Sequence, residues 1–195
     1  MSLLTDPAPT TVSIAGAEVP INWDFRVSIR FEEMMAGELP DEEKIGKALE
    51  LYYPQVPAAI DQAVDQLLWF YAAGKDSEPG KSGSGSGGPI YSFDYDDEYI
   101  YSAFLDQYGI DLQDVPSLHW WKFKAMFQGL KSDNRIVEIM GYRSMEISPQ
   151  MSKEQKQFYR KMKKQFVIPL PQSEREKLSA IEEALLNGGD VSKLL

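Results

Sequence analysis

Cysteine is absent from these 195 residues. That excludes a disulfide framework, a thiol nucleophile and a thiolate metal site, and it fits a reducing cytoplasm. Histidine occurs once, as His119. A metal centre would therefore have to complete itself with carboxylates or carbonyls, and a Ser-His-Asp arrangement lacks any motif announcing its nucleophile. No apolar run approaches the roughly 18–20 residues that span a bilayer. Residues 1–11 carry no basic stretch followed by an apolar one, so no signal peptide is expected. Positive charge is also scarce, with 20 Lys and Arg against 30 Asp and Glu and a net charge of −10. An acidic surface repels phosphate, so general nucleic-acid binding is not expected.

The basic residues are unevenly placed. Lys153, Lys156, Arg160, Lys161, Lys163 and Lys164 stand against Glu154 alone, making 152–166 net +5 and leaving −15 for the remainder. With an apolar fraction of 43% and 12% aromatics the chain is of globular, not disordered, composition.

Along the chain, residues 11–21 alternate Val12 and Ile14, then Val19 and Ile21, about Gly16. This reads as a small β-hairpin that needs something to pack against. The pattern then turns helical. Asn22 or Asp24 caps a first helix reaching residue 35, before Gly37 and Pro40. A second helix, over 41–53, carries Ile45, Leu49 and Tyr52 on one face. In the third, Ile60, Ala63, Val64, Leu67, Leu68 and Tyr71 form an apolar stripe, closed by Gly74.

Residues 74–89 hold six Gly, four Ser and two Pro among sixteen, the composition of a flexible linker with a reach of roughly 20–24 Å. The expected organisation is thus an N-terminal hairpin and helices over 1–73, the linker 74–89, and a helical part over 90–195. Each part alone would have a thin core, so the two are expected to pack as one domain. Within the linker, Gly80-Lys81-Ser82 imitates a phosphate loop, but Lys75 stands where that motif requires Gly and a helix precedes it instead of a strand.

Helices resume near Asp96, with Ile100, Ala103, Phe104 and Tyr108 on one face and Gly109 as the stop. Asp94, Asp96 and Glu98 alternate as in a calcium loop, yet Tyr99 occupies the obligatory Gly position. A helix-capping role for Asp96 or Asp97 is the plainer reading. Pro116 or Ser117 is expected to open an enclosed helix in which Trp120, Phe123, Phe127 and Leu130 share a face that Trp121 and Ala125 widen. Beside two tryptophans, His119 reads as a core or helix-start residue bonded to backbone. A short helix over 134–140 follows. Ser152 with Gln155, and Ser173 with Glu176, form capping-box pairs that open two last helices. The first of these carries Phe158, Tyr159, Met162 and Phe166, a stripe that reads as ordinary core docking. Its cations are either a solvated face or a docking surface for an acidic partner, for which Lys156, Arg160, Lys163 and Lys164 are the candidate residues.

The fold class expected is mainly α: a multi-helix domain with a small N-terminal β-hairpin and a Gly/Ser linker. No catalytic, cofactor-binding or metal-binding residue is expected, and no cofactor.

Several stretches resemble the "gene product fifteen" family of tailed-phage and prophage proteins. They are Asp97-Glu98-Tyr99-Ile100-Tyr101-Ser102-Ala103-Phe104, Tyr108-Gly109-Ile110-Asp111-Leu112, Leu118-His119-Trp120-Trp121-Lys122-Phe123, Gly129-Leu130 and Tyr142-Arg143, with Asn22-Trp23-Asp24-Phe25-Arg26 at the N-terminal end. The likeness spans roughly residues 12–168, and the Leu-His-Trp-Trp-Lys-Phe string is its most specific part. Residues 172–195 carry none of it. Tyr99, Phe104, His119, Trp120, Trp121 and Phe123 are the signature residues expected in the core.

The resemblance implies a non-enzymatic tail-assembly protein in the host cytoplasm, of the kind regarded as chaperones. Such a protein would hold the tape-measure protein while tail-tube subunits assemble around it. Tape-measure and tail-tube proteins are the partners implied; nucleic acid and membrane are not, and homo-oligomers are compatible. The alternative is a structural component of the finished tail.

Overall fold

The computed structural model describes residues 2–75 and 88–169. Among these lie one β-hairpin and seven helices, so the chain is mainly α as its periodicities imply. The expected helix opening at Ser173 and the linker's residues 76–87 lie outside the described residues.

The hairpin pairs β1 (Thr11–Ile14) with β2 (Ala17–Pro20) antiparallel, Val12 opposite Val19 and Ile14 opposite Ala17. Ala15 and Gly16 turn it with φ of 51° and 79°, the two left-handed residues that match the twist of a tight hairpin. Val12 and Ile14 are buried, and the Ala15 N–H donates to Gln62 Oε1 at 2.7 Å. The ribbon thus gains from the third helix the support it could not supply itself.

Helix α1 (Phe25–Ala36) is capped by Asp24, whose Oδ1 accepts the Arg26 N–H. Helix α2 (Asp41–Tyr52) begins with three acidic residues suited to the positive end of the helix. It buries Ala48, Leu49 and Tyr52, but Ile45, expected on the same face, is 49% exposed. The helix docks by its C-terminal half, and its first two turns run out into solvent.

Helix α3 (Ile60–Tyr71) buries Ala63, Leu67 and Phe70. Of the expected stripe, Ala63 and Leu67 are buried and Val64 and Tyr71 pack against the core, while Ile60 and Leu68 are exposed. Phe70, which the apolar periodicity left out, is fully buried and packs against Tyr52, His119 and Trp121.

Helix α4 (Asp97–Tyr108) places Ile100, Ala103 and Phe104 inward and ends at Gly109, left-handed at φ 64°. Helix α5 (Trp120–Gln128) starts later than expected from Pro116 or Ser117, because Leu118 and His119 are held extended in a backbone pairing described below. Ala125 faces solvent and does not widen the buried face. Helix α6 (Arg135–Ser144) runs four residues past its expected end. Helix α7 (Lys153–Gln165) opens with the full Ser152–Gln155 capping box.

The centre of the core is Phe123, fully buried, its ring stacked on Phe25 at 4.9 Å and on Phe104 at 4.8 Å. Trp120 and Phe127 stack on it as well, and Phe93 tilts against it. Residues from both sides of the linker therefore meet on one ring. Core substitutions of aromatic residues by Ala cost about 3–5 kcal/mol, so this contact carries a large share of a stability of about 5–15 kcal/mol.

Candidate partner-binding surface and signature core

The two most distinctive stretches of the sequence bond to each other. The Phe25 N–H donates to Leu118 O at 2.9 Å, and the Trp120 N–H donates to Trp23 O at 2.8 Å. Asp24 Oδ2 also accepts the Leu118 N–H at 3.2 Å. Both segments are extended just where a helix begins, so one small antiparallel bridge sets the starts of α1 and α5 together.

His119 occupies the capping position of α5. Its Nδ1 accepts the Trp121 N–H at 3.0 Å, and its Nε2 lies 2.9 Å from the carbonyl oxygen of Pro9. The two contacts together require a neutral ring with the proton on Nε2. Burial depresses its pKa below the usual histidine value; the Pro9 contact opposes that and Lys122 adds to it. Of the two settings expected, core or helix start, it occupies both, being buried and bonded to backbone at the start of α5.

The adjacent tryptophans serve the end of another helix. The last carbonyls of α3 have no partners within the helix, and two indoles supply them. Trp120 Nε1 donates to Tyr71 O at 2.9 Å and Trp121 Nε1 to Phe70 O at 2.7 Å. Lys124 Nζ donates to Tyr71 O as well, at 3.1 Å, and lies over the Tyr71 and Trp120 rings. Burial lowers the pKa of that amine, while the charge of Glu32 raises it. Glu32 in turn accepts the Tyr71 hydroxyl at 2.6 Å. Tyr71 and Tyr91 both have their hydroxyl pKa raised, first by burial and then by Glu32.

Gly74, expected only as a helix stop and linker residue, is packed. At φ 67° it faces the Trp121 ring so closely that a Cβ would lie 2.8 Å from Cη2. Tyr99 is partly buried against the core and Phe104 is wholly inside it. The signature residues are thus joined through helix ends and stacked rings, and not around a cavity.

A buried ion pair that no local sequence pattern signals joins Asp96 and Arg143. Asp96 and Arg143 are 1% and 8% exposed. Nη1 donates to Oδ2 at 2.6 Å and Nη2 to Oδ1 at 2.9 Å, while Oδ2 also accepts the Ser92 N–H. Arg143 further donates to Ile90 O and Phe166 O. Asp96 is accordingly a partner of arginine, and its side chain makes no capping bond to α4. Among the described residues no group of three or more His, Cys, Asp or Glu is placed to hold a metal ion.

Exposed chemistry lies on α7. None of its residues is buried, and the stripe expected to dock it only partly does so. Phe166, just past the helix, is buried against Tyr142, while Phe158 touches Tyr142 edge-on yet stays 48% exposed. The four candidate cations divide. Lys163 turns inward, its Nζ donating to Arg143 O at 2.8 Å. Lys156 is likewise half-buried, its Nζ donating to Pro149 O at 2.7 Å, whereas Arg160 and Lys164 stay exposed, and Lys153 joins them on the outer side. Lys153, Lys156, Gln157 and Arg160 line an open recess of about 450 Å³.

Fold and surface together define a mainly helical protein that spends its aromatic signature on its own core and turns a basic amphipathic helix outward. Among the described residues no helix is long and apolar enough to cross a membrane. The family model described as "Bacteriophage Gp15 protein" matches residues 4–168, and the chain belongs to that family. As a member it is a phage protein of the structural or assembly kind. No curated protein and no solved structure matches it.

Proposed function

We propose that this chain is a non-enzymatic tail-assembly protein: a chaperone that binds the tape-measure protein in the host cytoplasm until tail-tube subunits enclose it. Support comes first from the family membership and from what the resemblance implies of its role. The observation that carries the reading is the division of labour within the molecule. His119, Trp120, Trp121 and Phe123 are committed to helix ends and core stacking, whereas α7 keeps a basic face and half of Phe158 in solvent. That face is where a client would be held.

The test is co-expression of the tape-measure protein with this chain, followed by pull-down and by measurement of how much client stays soluble. The chaperone reading expects recovery of a soluble complex and absence of the chain from purified virions. Stoichiometric presence in virions would instead favour a component of the finished tail.

A further inference from the structure

We infer that α7 is a strap: it lifts from α6 and unfolds as one unit, about the connection 145–151, while the rest of the fold stays closed. The inference concerns how the helix is held and not what binds it, so it goes beyond the proposed function and does not rest on it.

The two residues that bound this unit bond to each other. Arg143 and Phe166 are buried, and Arg143 Nε donates to Phe166 O at 2.6 Å. Between them, from Ser144 to Gln165, no residue is buried. The continuous core around Phe123 includes neither Phe166 nor Phe158. Phe166 lies instead in a small satellite, stacked on Tyr142 at 6.0 Å with the Arg135 guanidinium 5.0 Å from its ring. One ring is therefore the latch for the whole excursion.

The other ties are polar. Lys163 Nζ donates to Arg143 O at 2.8 Å and Lys156 Nζ to Pro149 O at 2.7 Å. Water replaces such bonds at small net cost once the helix lifts. Opening strands no charge either. Arg143 loses Phe166 O but keeps both Asp96 oxygens and Ile90 O, so the buried pair stays satisfied on the core side.

A lifted α7 does not stay helical. It is 13 residues long, and a lone helix of about 12–15 residues is marginal in water. The Ser152–Gln155 capping box favours it, but Lys156, Arg160 and Lys164 recur at steps of four and repel one another, with Glu154 the one carboxylate of the helix. Helix and docking are thus lost together. Phe158 and Phe166, both laid on Tyr142 in the closed form, come free at the same time. A partner that takes the Phe166 ring reaches it only from the open form.

The test is residue-resolved amide exchange of the full chain by NMR, in rising sub-denaturing urea. The expected result is one shared urea dependence for the amides of 157–165, exchanging at least about a hundredfold faster than those of α5. Phe166→Ala removes a contact that is lost in local and global opening alike, so it should speed exchange in α7 and in α5 by the same factor, at least about tenfold. Phe25→Leu weakens a stack that the open form keeps, so it should speed α5 and leave α7 as it was. Phe166→Leu and Ala48→Gly serve in their places if either chain does not fold. Amides of α7 that exchange no faster than those of α5, or that Phe25→Leu speeds as much, would show that the helix opens only with the whole fold and would overturn the inference. So would exchange in α7 that Phe166→Ala leaves unchanged. Protection that fades residue by residue from Gln165 without urea dependence would overturn it too, since that is fraying of an end and not one unit.

Discussion

Asp96 and Arg143 meet as a two-pronged buried pair, at 2.6 and 2.9 Å, across 47 residues of sequence. The pair does more than neutralise itself. Through Ile90 O, Ser92 N–H and Phe166 O it ties the segment entering α4 and the residue ending α7 to the last turn of α6.

Removing one partner leaves a charge stranded in a dry site. Arg143→Met is expected to cost about 3–5 kcal/mol, which for a chain of this size lowers the melting temperature by roughly 6–20 °C. The double change Asp96→Leu with Arg143→Met should cost less than the sum of the two single changes, read from a double-mutant cycle in urea. Strict additivity would show that the two groups do not depend on each other.

Gly74 and Gly16 both have positive φ, but only Gly74 faces a ring. Each Gly→Ala change pays for a left-handed backbone, of order 1 kcal/mol. Gly74→Ala must also displace Trp121, and its melting temperature should drop further than that of Gly16→Ala. Equal drops would remove the packing role of Gly74.

The neutral ring of His119 couples stability to pH. Its folded pKa is depressed, chiefly by burial, so the unfolded chain takes up a proton first as pH falls below about 6.5. The stabilisation is complete above that pH and is lost as pH drops from there through the folded pKa. Urea midpoints should therefore fall between pH 7.5 and 5.5. Asn at position 119 keeps a capping acceptor without titrating, and His119→Asn should flatten that slope.

Shortening the Gly/Ser run within 80–88 by a few residues changes loop entropy by well under about 1 kcal/mol. Thermal melts of the shortened chain should overlie those of wild type. A large loss of stability would mean that the run contributes more than its length.

Much of this architecture is legible locally. The hairpin alternation, the Asp24 cap, the Ser152–Gln155 box and the Gly109 stop are short-range patterns with one physical meaning each. His119 reads as a core or helix-start residue because it stands beside two tryptophans, but its capping position is not legible, since the helix is expected to open at Pro116 or Ser117. The remainder depends on partners distant in sequence. Nothing near Arg143 points to Asp96, nothing near Gly74 points to Trp121, and the indole caps on α3 pair residues 49 and 51 positions apart. The burial of Phe70 on α3 goes with its aromatic neighbours Tyr52, His119 and Trp121, which periodicity within one helix does not contain. On α7 the cations were visible, but their division was not. It took the Arg143 and Pro149 carbonyls to set Lys163 and Lys156 apart from Arg160 and Lys164.

The central claim is that the tryptophan signature holds the fold and the basic helix holds the partner. Its most direct test is one paired measurement, melting temperature and tape-measure retention, on Trp121→Ala and on the Lys153→Glu, Arg160→Glu, Lys164→Glu variant. Loss of the Trp121 ring should cost about 3–5 kcal/mol of core packing and lower the melting temperature accordingly. The charge-reversed chain should melt like wild type and release the tape-measure protein. A Trp121→Ala chain that melts unchanged yet loses the tape-measure protein, beside a charge-reversed chain that keeps it, would contradict the account.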